Sequence, residues 1–258
     1  IGSAKDKNAA IIEVSPTNFG VYNLNDNETL ICSNHFQSEA YKNDGRNIQW
    51  ISESHSMYRF ERMEELILEE DKLEVSDAVA ILRNTNGLEG KEIGFGNEKA
   101  LNQLLAHHGI VFKPESKEVW VSSNPYQLGE FVKYDLDEVF KDREGNPAKT
   151  TISELNGNVA EDPFVHSKKY KDYEDYRMLE REVETAIREA EIILPETLLA
   201  LQQKNPDYWK AYYLTGKYYF KKKYNAAAKK AFEMALTKEI TTVTDRKEIE
   251  KYLQKLKK

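Results

Sequence analysis

The sequence predicts an α+β fold, with antiparallel strands and a helix pair over residues 1–140 and a helical extension over 167–258. Three patterns predict it. Short apolar runs separated by turn residues fill 8–33, apolar spacing switches to three- and four-residue steps at 56–69, and helical spacing resumes from Ser167 to the end. The chain has 258 residues, 40% hydrophobic, with 15 Tyr, 10 Phe and 3 Trp. That supply of core-forming side chains argues against disorder.

The elements follow in order. Asn8–Val14 reads as a strand, Ser15-Pro16-Thr17-Asn18 as a turn and Phe19–Leu24 as a second strand. Asn25-Asp26-Asn27 is a tight turn, Thr29–Ser33 a third strand, and the polar stretch Gln37–Ser54 a long loop. Met57, Phe60, Met63, Leu66 and Ile67 make 56–69 an amphipathic helix. Ser76-Asp77 caps a second helix that runs through Arg83 and ends at Asn84–Gly87. Gly90–Gly96 is a glycine-rich loop, without the strand-to-helix context of a phosphate site. Strands follow at 104–113, Glu118–Ser122 and Phe131–Tyr134, with a turn at Pro114–Lys117. Residues 141–166 have no period and contain Pro147 and Pro163, which reads as a linker or wrapping loop.

From Ser167 onward, Tyr170, Tyr173, Tyr176, Leu179, Val183 and Ile187 keep helical spacing. Pro195 breaks that helix or starts the next at its first turn. Two helices then join near Lys223-Tyr224-Asn225, and a charged helix fills 244–257. Gly216, Tyr219, Ala228, Phe232 and Ala235 fall at the spacings of one tetratricopeptide-like unit. One unit cannot bury its own face, so it should stack on the 168–204 helices. A peptide groove with a protein partner is one use of such a tail; a packed hairpin is the preferred reading, because solenoid binding takes about three or more repeats.

Charge and composition exclude several classes. The net charge is −7, which makes no case for nucleic-acid binding. It is unevenly spread: Lys204–Lys258 has 15 Lys/Arg against 6 Asp/Glu, a net of +9, which leaves −16 for the rest. No apolar run reaches the roughly 18 residues of a membrane span. One cysteine and five scattered histidines give no disulfide framework and no metal motif, so neither a metal nor a cofactor is expected.

Three stretches in order resemble one family. Ile11-Ile12-Glu13-Val14-Ser15-Pro16-Thr17 leads to Leu30-Ile31-Cys32-Ser33-Asn34-His35, and Ser56-Met57-Tyr58-Arg59-Phe60-Glu61-Arg62-Met63-Glu64 follows. Ala106-His107-His108-Gly109-Ile110-Val111-Phe112-Lys113-Pro114, with Val119-Trp120-Val121-Ser122, is similar to a late hairpin of the same family. Together they resemble the acyl-coenzyme A:6-aminopenicillanic acid acyltransferase-like family of N-terminal nucleophile hydrolases, over about residues 8–140. The resemblance implies an αββα sandwich of antiparallel sheets, of which 1–140 is the C-terminal part, with 167–258 a helical extension. It also implies an N-terminal Cys, freed by self-cleavage, that attacks an amide or thioester carbonyl with its own α-amino group as base.

Residue 1 is Ile, so the resemblance places the nucleophile on an upstream segment or a separate chain. Cys32, inside a predicted strand, reads as a small core side chain. Asn34 matches the Asn of the family's Asn-His pair, which implies an oxyanion-hole donor: a neutral N–H aimed where negative charge develops. His35 is implied as its orienter or a packing group. Arg59 and Arg62 share a helix face and either pair an acidic substrate or their Glu neighbours, the latter preferred. His107 and His108, adjacent in a predicted strand, point to opposite faces and cannot chelate one metal together; one of them is a candidate to face the substrate. The expected substrate is a small amide or thioester.

Overall fold

A computed structural model of the chain describes residues 1–24, 29–69, 72–141 and 153–257. The fold is α+β, with two antiparallel sheets and a mostly helical C-terminal half. The chain divides into two compact units. The first comprises residues 1–52, 56–84 and 105–162; the second comprises 53–55, 85–104 and 163–258.

In the first unit, β1 (Gly2–Ser3), β2 (Asn8–Val14) and β3 (Phe19–Asn23) form one sheet in that order. The β2–β3 turn closes where Ser15 N–H donates to Asn18 O and Asn18 N–H to Ser15 Oγ, at 2.9 and 3.1 Å. Glu13 lies opposite Gly20 on the inner face, while the Ile12–Val21 and Val14–Phe19 pairs are exposed on the outer face. The expected third strand at Thr29–Ser33 does not form; that segment has no strand partner among the described residues. The expected turn at 25–27 lies outside the described residues.

The stretch expected to be a loop to Ser54 contains a 3-10 turn (Glu39–Tyr41) and helix α1 (Gly45–Glu53). Helix α2 (Ser56–Leu68) matches its expected span, and α3 (Val75–Arg83) starts one residue earlier than Ser76. Its first turn closes through Asp77, whose Oδ2 accepts from Glu74 N–H at 2.8 Å.

The second sheet of this unit runs β4 (Ile110–Lys113), β5 (Glu118–Ser122), β6 (Phe131–Asp135) and β7 (Glu154–Val159), all antiparallel. A short helix, α4 (Leu136–Val139), follows β6. Strand β7 falls within the stretch expected to be a linker. The strand expected at 104–113 is confined to its last four residues, because Leu104 takes a left-handed φ of 51° and 105–109 run irregularly. Val79 of α3 packs with Trp120 of β5 and Phe131 of β6, so α3 covers one face of this sheet. Arg83, at the end of α3, donates to Gln127 O, Gly129 O and Ala160 O at 3.1, 2.8 and 2.9 Å.

The second unit holds α5 (Lys168–Glu189), α6 (Pro195–Lys204), α7 (Trp209–Lys221), α8 (Asn225–Leu236) and α9 (Val243–Lys255). Ser167 caps α5 by accepting from Tyr170 N–H, and Pro195 occupies the first turn of α6. Helices α7 and α8 pair closely because Gly216 lacks a side chain: a Cβ there would lie 2.7 Å from the fully buried ring of Phe232. The Lys221–Lys223 run has a structural use. Lys221 and Lys222 Nζ donate to Ile187 O and Ala190 O at the end of α5, at 2.6 and 2.9 Å, where cations complement the helix dipole.

Candidate active site

The segment 33–38 of the first unit is held not by a β-ladder but by side chains of β2 and α1 and by contacts with α2. Glu13 of β2 is 5% exposed, and its carboxylate accepts from Gln37 N–H at 2.5 Å and Ser38 N–H at 2.9 Å. Asn47 of α1 accepts from Phe36 N–H at 3.0 Å and donates to Phe36 O at 2.9 Å, reproducing with one amide the pair of bonds a neighbouring strand would make. Trp50 of α1 donates from Nε1 to Asn34 O at 2.8 Å. Ser33 Oγ donates to Ser56 O of α2 at 2.9 Å. Gly20 of β3 lets the segment pass close: a Cβ there would meet Ser38 Oγ at 2.1 Å.

This pinning fixes a bend at Asn34–His35, and both side chains reach α2. Arg59 Nη2 donates to Asn34 Oδ1. A guanidinium has only donors, so the atom facing it is the amide oxygen and the two Nδ2 hydrogens are turned away from Arg59. His35 Nδ1 lies 2.9 Å from Ser56 Oγ, and its ring packs on Phe60 with centroids 5.7 Å apart. Burial lowers the imidazole pKa from its ordinary value, and the Glu13 carboxylate opposes that shift.

Beside this bend lies a cleft of about 950 Å³, lined by residues 11–17 of the β2 end and turn, by Cys32–Phe36, and by Asp44, Arg46, Asn47 and Trp50 around α1. The two sequence stretches that carry the resemblance at the strand end and the Asn-His pair therefore meet at one cavity. Its walls combine apolar Ile12, Val14 and Trp50 with the polar Asn34 and His35, the mix of a small-molecule site.

Cys32 is exposed, not a core side chain as the sequence suggested. Desolvation and the Glu13 carboxylate raise its pKa, opposite to the shift an attacking thiolate needs. Arg59 is 9% exposed and touches Asn34, not the cleft wall. Arg62 pairs with Glu65 at 2.8 Å. His107 and His108 are both exposed, lie in the irregular 105–109 run and not in a strand, and do not line this cleft. The alternation of faces expected for them rested on that strand and does not apply. No group of three metal-ligating side chains occurs among the described residues, and no described helix is long and apolar enough to cross a membrane.

Sequence reasoning missed Glu13, Asn47 and Trp50. Glu13 carried a signal, as the acidic residue opening the Glu-Val-Ser-Pro-Thr turn; Asn47 and Trp50 sat in a stretch read as loop.

Residues 2–122 match the family model described as acyl-coenzyme A:6-aminopenicillanic acid acyl-transferase. No curated protein and no solved structure shows a significant match to the chain. The matched span contains the whole 33–38 segment, the cleft around it and the α2 residues that hold it. Over residues 2–122, this chain carries the sequence pattern of the acyl-coenzyme A:6-aminopenicillanic acid acyl-transferase family.

Proposed function

We propose that this chain is the C-terminal portion of an N-terminal nucleophile hydrolase or acyltransferase that cleaves or transfers an acyl group at a carbon–nitrogen amide bond. The nucleophile is a Cys freed by autoprocessing on a segment upstream of Ile1, joined to this chain or separate from it. The observation that carries the reading is the Arg59–Asn34 contact: with Oδ1 held, Nδ2 serves as donor beside the cleft.

In this reading the substrate carbonyl oxygen sits against Asn34 Nδ2, and the thiolate attacks the carbonyl carbon. Negative charge grows on that oxygen, and a donor fixed in advance stabilises it without reorganising, worth about 3 kcal/mol for a single group. Collapse of the tetrahedral intermediate expels the amine and leaves an acyl-enzyme. Water or a second amine then takes the acyl group. The raised pKa of Cys32 supports a nucleophile from elsewhere.

Intact-mass measurement and N-terminal sequencing of the protein from its source cells test this. A mature chain that begins with Cys and includes or accompanies these residues supports it. A natural chain with no such Cys and no partner bearing one excludes the mechanism, and the helical unit becomes the place to look for function.

A further inference from the structure

Among the described residues, Glu13, Asp44 and Arg46 are the Asp, Glu, Lys or Arg side chains that line the cleft beside Asn34. Two of them are committed to the backbone. The Glu13 carboxylate holds Gln37 and Ser38 N–H, and Asp44 Oδ1 accepts from Asn47 N–H at 2.7 Å, closing the first turn of α1. Arg46 is exposed on that same turn, and its guanidinium makes no hydrogen bond or ion pair among the described residues. Its planar fork of N–H donors is free to take a ligand at the cleft wall. We propose that Arg46 recognises a carboxylate on the substrate, a specificity residue by which the cleft selects acyl amides bearing a free acid over neutral ones.

The placement suits a small substrate. Trp50, four residues on, shares that face of α1, lines the cleft too, and donates from Nε1 to Asn34 O at 2.8 Å. Arg46 therefore stands one helical turn, about 5.4 Å along α1, from the residue that touches Asn34. A carboxylate a few bonds from the amide carbonyl spans such a distance. Ile12, Val14 and the Trp50 indole offer apolar surface to the hydrocarbon between and beyond the two polar groups. An acid gains a charge-assisted contact through both oxygens there, and a carboxamide does not. The acid can lie on the amine half, as in an N-acyl amino acid, or on the acyl half, as in the monoamide of a dicarboxylic acid. This inference rests on reading the cleft as the acyl-transfer site.

The test uses the 15N-labelled chain and three probes: N-hexanoylglycine, its neutral isostere N-hexanoylglycinamide, and N-butyladipamic acid, whose carboxylate is on the acyl half. Titration reads each affinity, and the Arg46 Nε–H and Asn34 NH2 resonances read where each probe sits. At least one acid should bind about three- to tenfold more tightly than the carboxamide and move both sets of resonances. Whichever acid does so identifies the half that carries the carboxylate. The advantage should vanish in Arg46→Gln and shrink in about 1 M salt. Arg46 has no partner to lose, so that variant should keep the parent amide spectrum, and Arg46→Lys should retain part of the advantage. Carboxamide binding as tight as that of both acids, or an advantage that persists in Arg46→Gln, overturns the inference. The carbonyl site still stands in that case if the carboxamide moves the Asn34 NH2 resonances. Failure of every probe to move them overturns both the inference and the reading of the cleft on which it rests.

Discussion

Arg59 Nη2 donates to Asn34 Oδ1 across 25 residues of sequence, from the first turns of α2 to the bend at Asn34–His35. The contact settles which way the Asn34 amide faces. A lysine in place of Arg59 keeps the charge but loses the planar fork that reaches more than one acceptor. Arg59→Lys should cost about 1–3 kcal/mol of stability and leave the Asn34 amide free to turn over. Denaturant unfolding and the side-chain NH2 resonances of Asn34 check both parts. Unaltered, sharp resonances would show that Arg59 does not fix the amide.

Glu13 holds two consecutive backbone N–H groups at 2.5 and 2.9 Å. Glutamine offers one oxygen and one NH2, so Glu13→Gln faces a donor against a donor at one of them. The expected cost is about 1–3 kcal/mol, with faster amide exchange at Gln37 and Ser38. Exchange that remains as slow as in the parent chain would show the segment is held by its other contacts alone.

His35 gives a pH dependence with a defined sign. Its folded pKa lies below the ordinary value of 6.5, so the unfolded chain binds the proton more readily. Stability is therefore fully present above about pH 6.5, falls as pH drops from there through the folded pKa, and is level below it. Urea midpoints measured from pH 8 to pH 5 should show this fall, and His35→Phe should remove its contribution. An identical pH profile in the variant would contradict the assignment.

In the helical unit, a methyl at Gly216 would lie 2.7 Å from the Phe232 ring, which is fully buried. Gly216→Ala gains up to about 1 kcal/mol of helix propensity. Overpacking costs about 1–3 kcal/mol, so the net effect is destabilising. The thermal midpoint should fall, and a second change, Phe232→Leu, should recover part of the loss. A raised midpoint in the single variant would mean that α7 and α8 are not in this close contact.

The helices with apolar faces were legible in the sequence because burial imposes their spacing. Helix α2 and helices α5 to α9 lie where the periodicity put them. Helix α1 was not legible, since its buried residue is the polar Asn47, which clamps a backbone, while its apolar Ile48 and Trp50 stay exposed and mark no core-facing stripe. Strand β7 was hidden by Asn156-Gly157-Asn158, a turn-like run that joins the sheet because Asn158 Oδ1 and Gly157 O accept from Lys133 N–H and Trp120 Nε1. Thr29–Ser33 had strand composition but no partner, and propensity cannot supply one. At the candidate site, the motif singled out Asn34, and the structure places it on the cleft. That Arg59 touches it was not legible, because a contact between residues so far apart belongs to the fold and not to any local pattern.

Asn34→Asp in the protein bearing its nucleophilic Cys tests the central claim most directly. Aspartate keeps the shape and gives Arg59 a better acceptor, but it has no N–H to offer and its charge repels a developing oxyanion. The rate of acyl-enzyme formation should fall by about 10²- to 10³-fold, while the thermal midpoint stays the same or rises. Acyl-enzyme formation at the parent rate, in a variant that folds equally well, would contradict the assignment of Asn34 as the oxyanion donor.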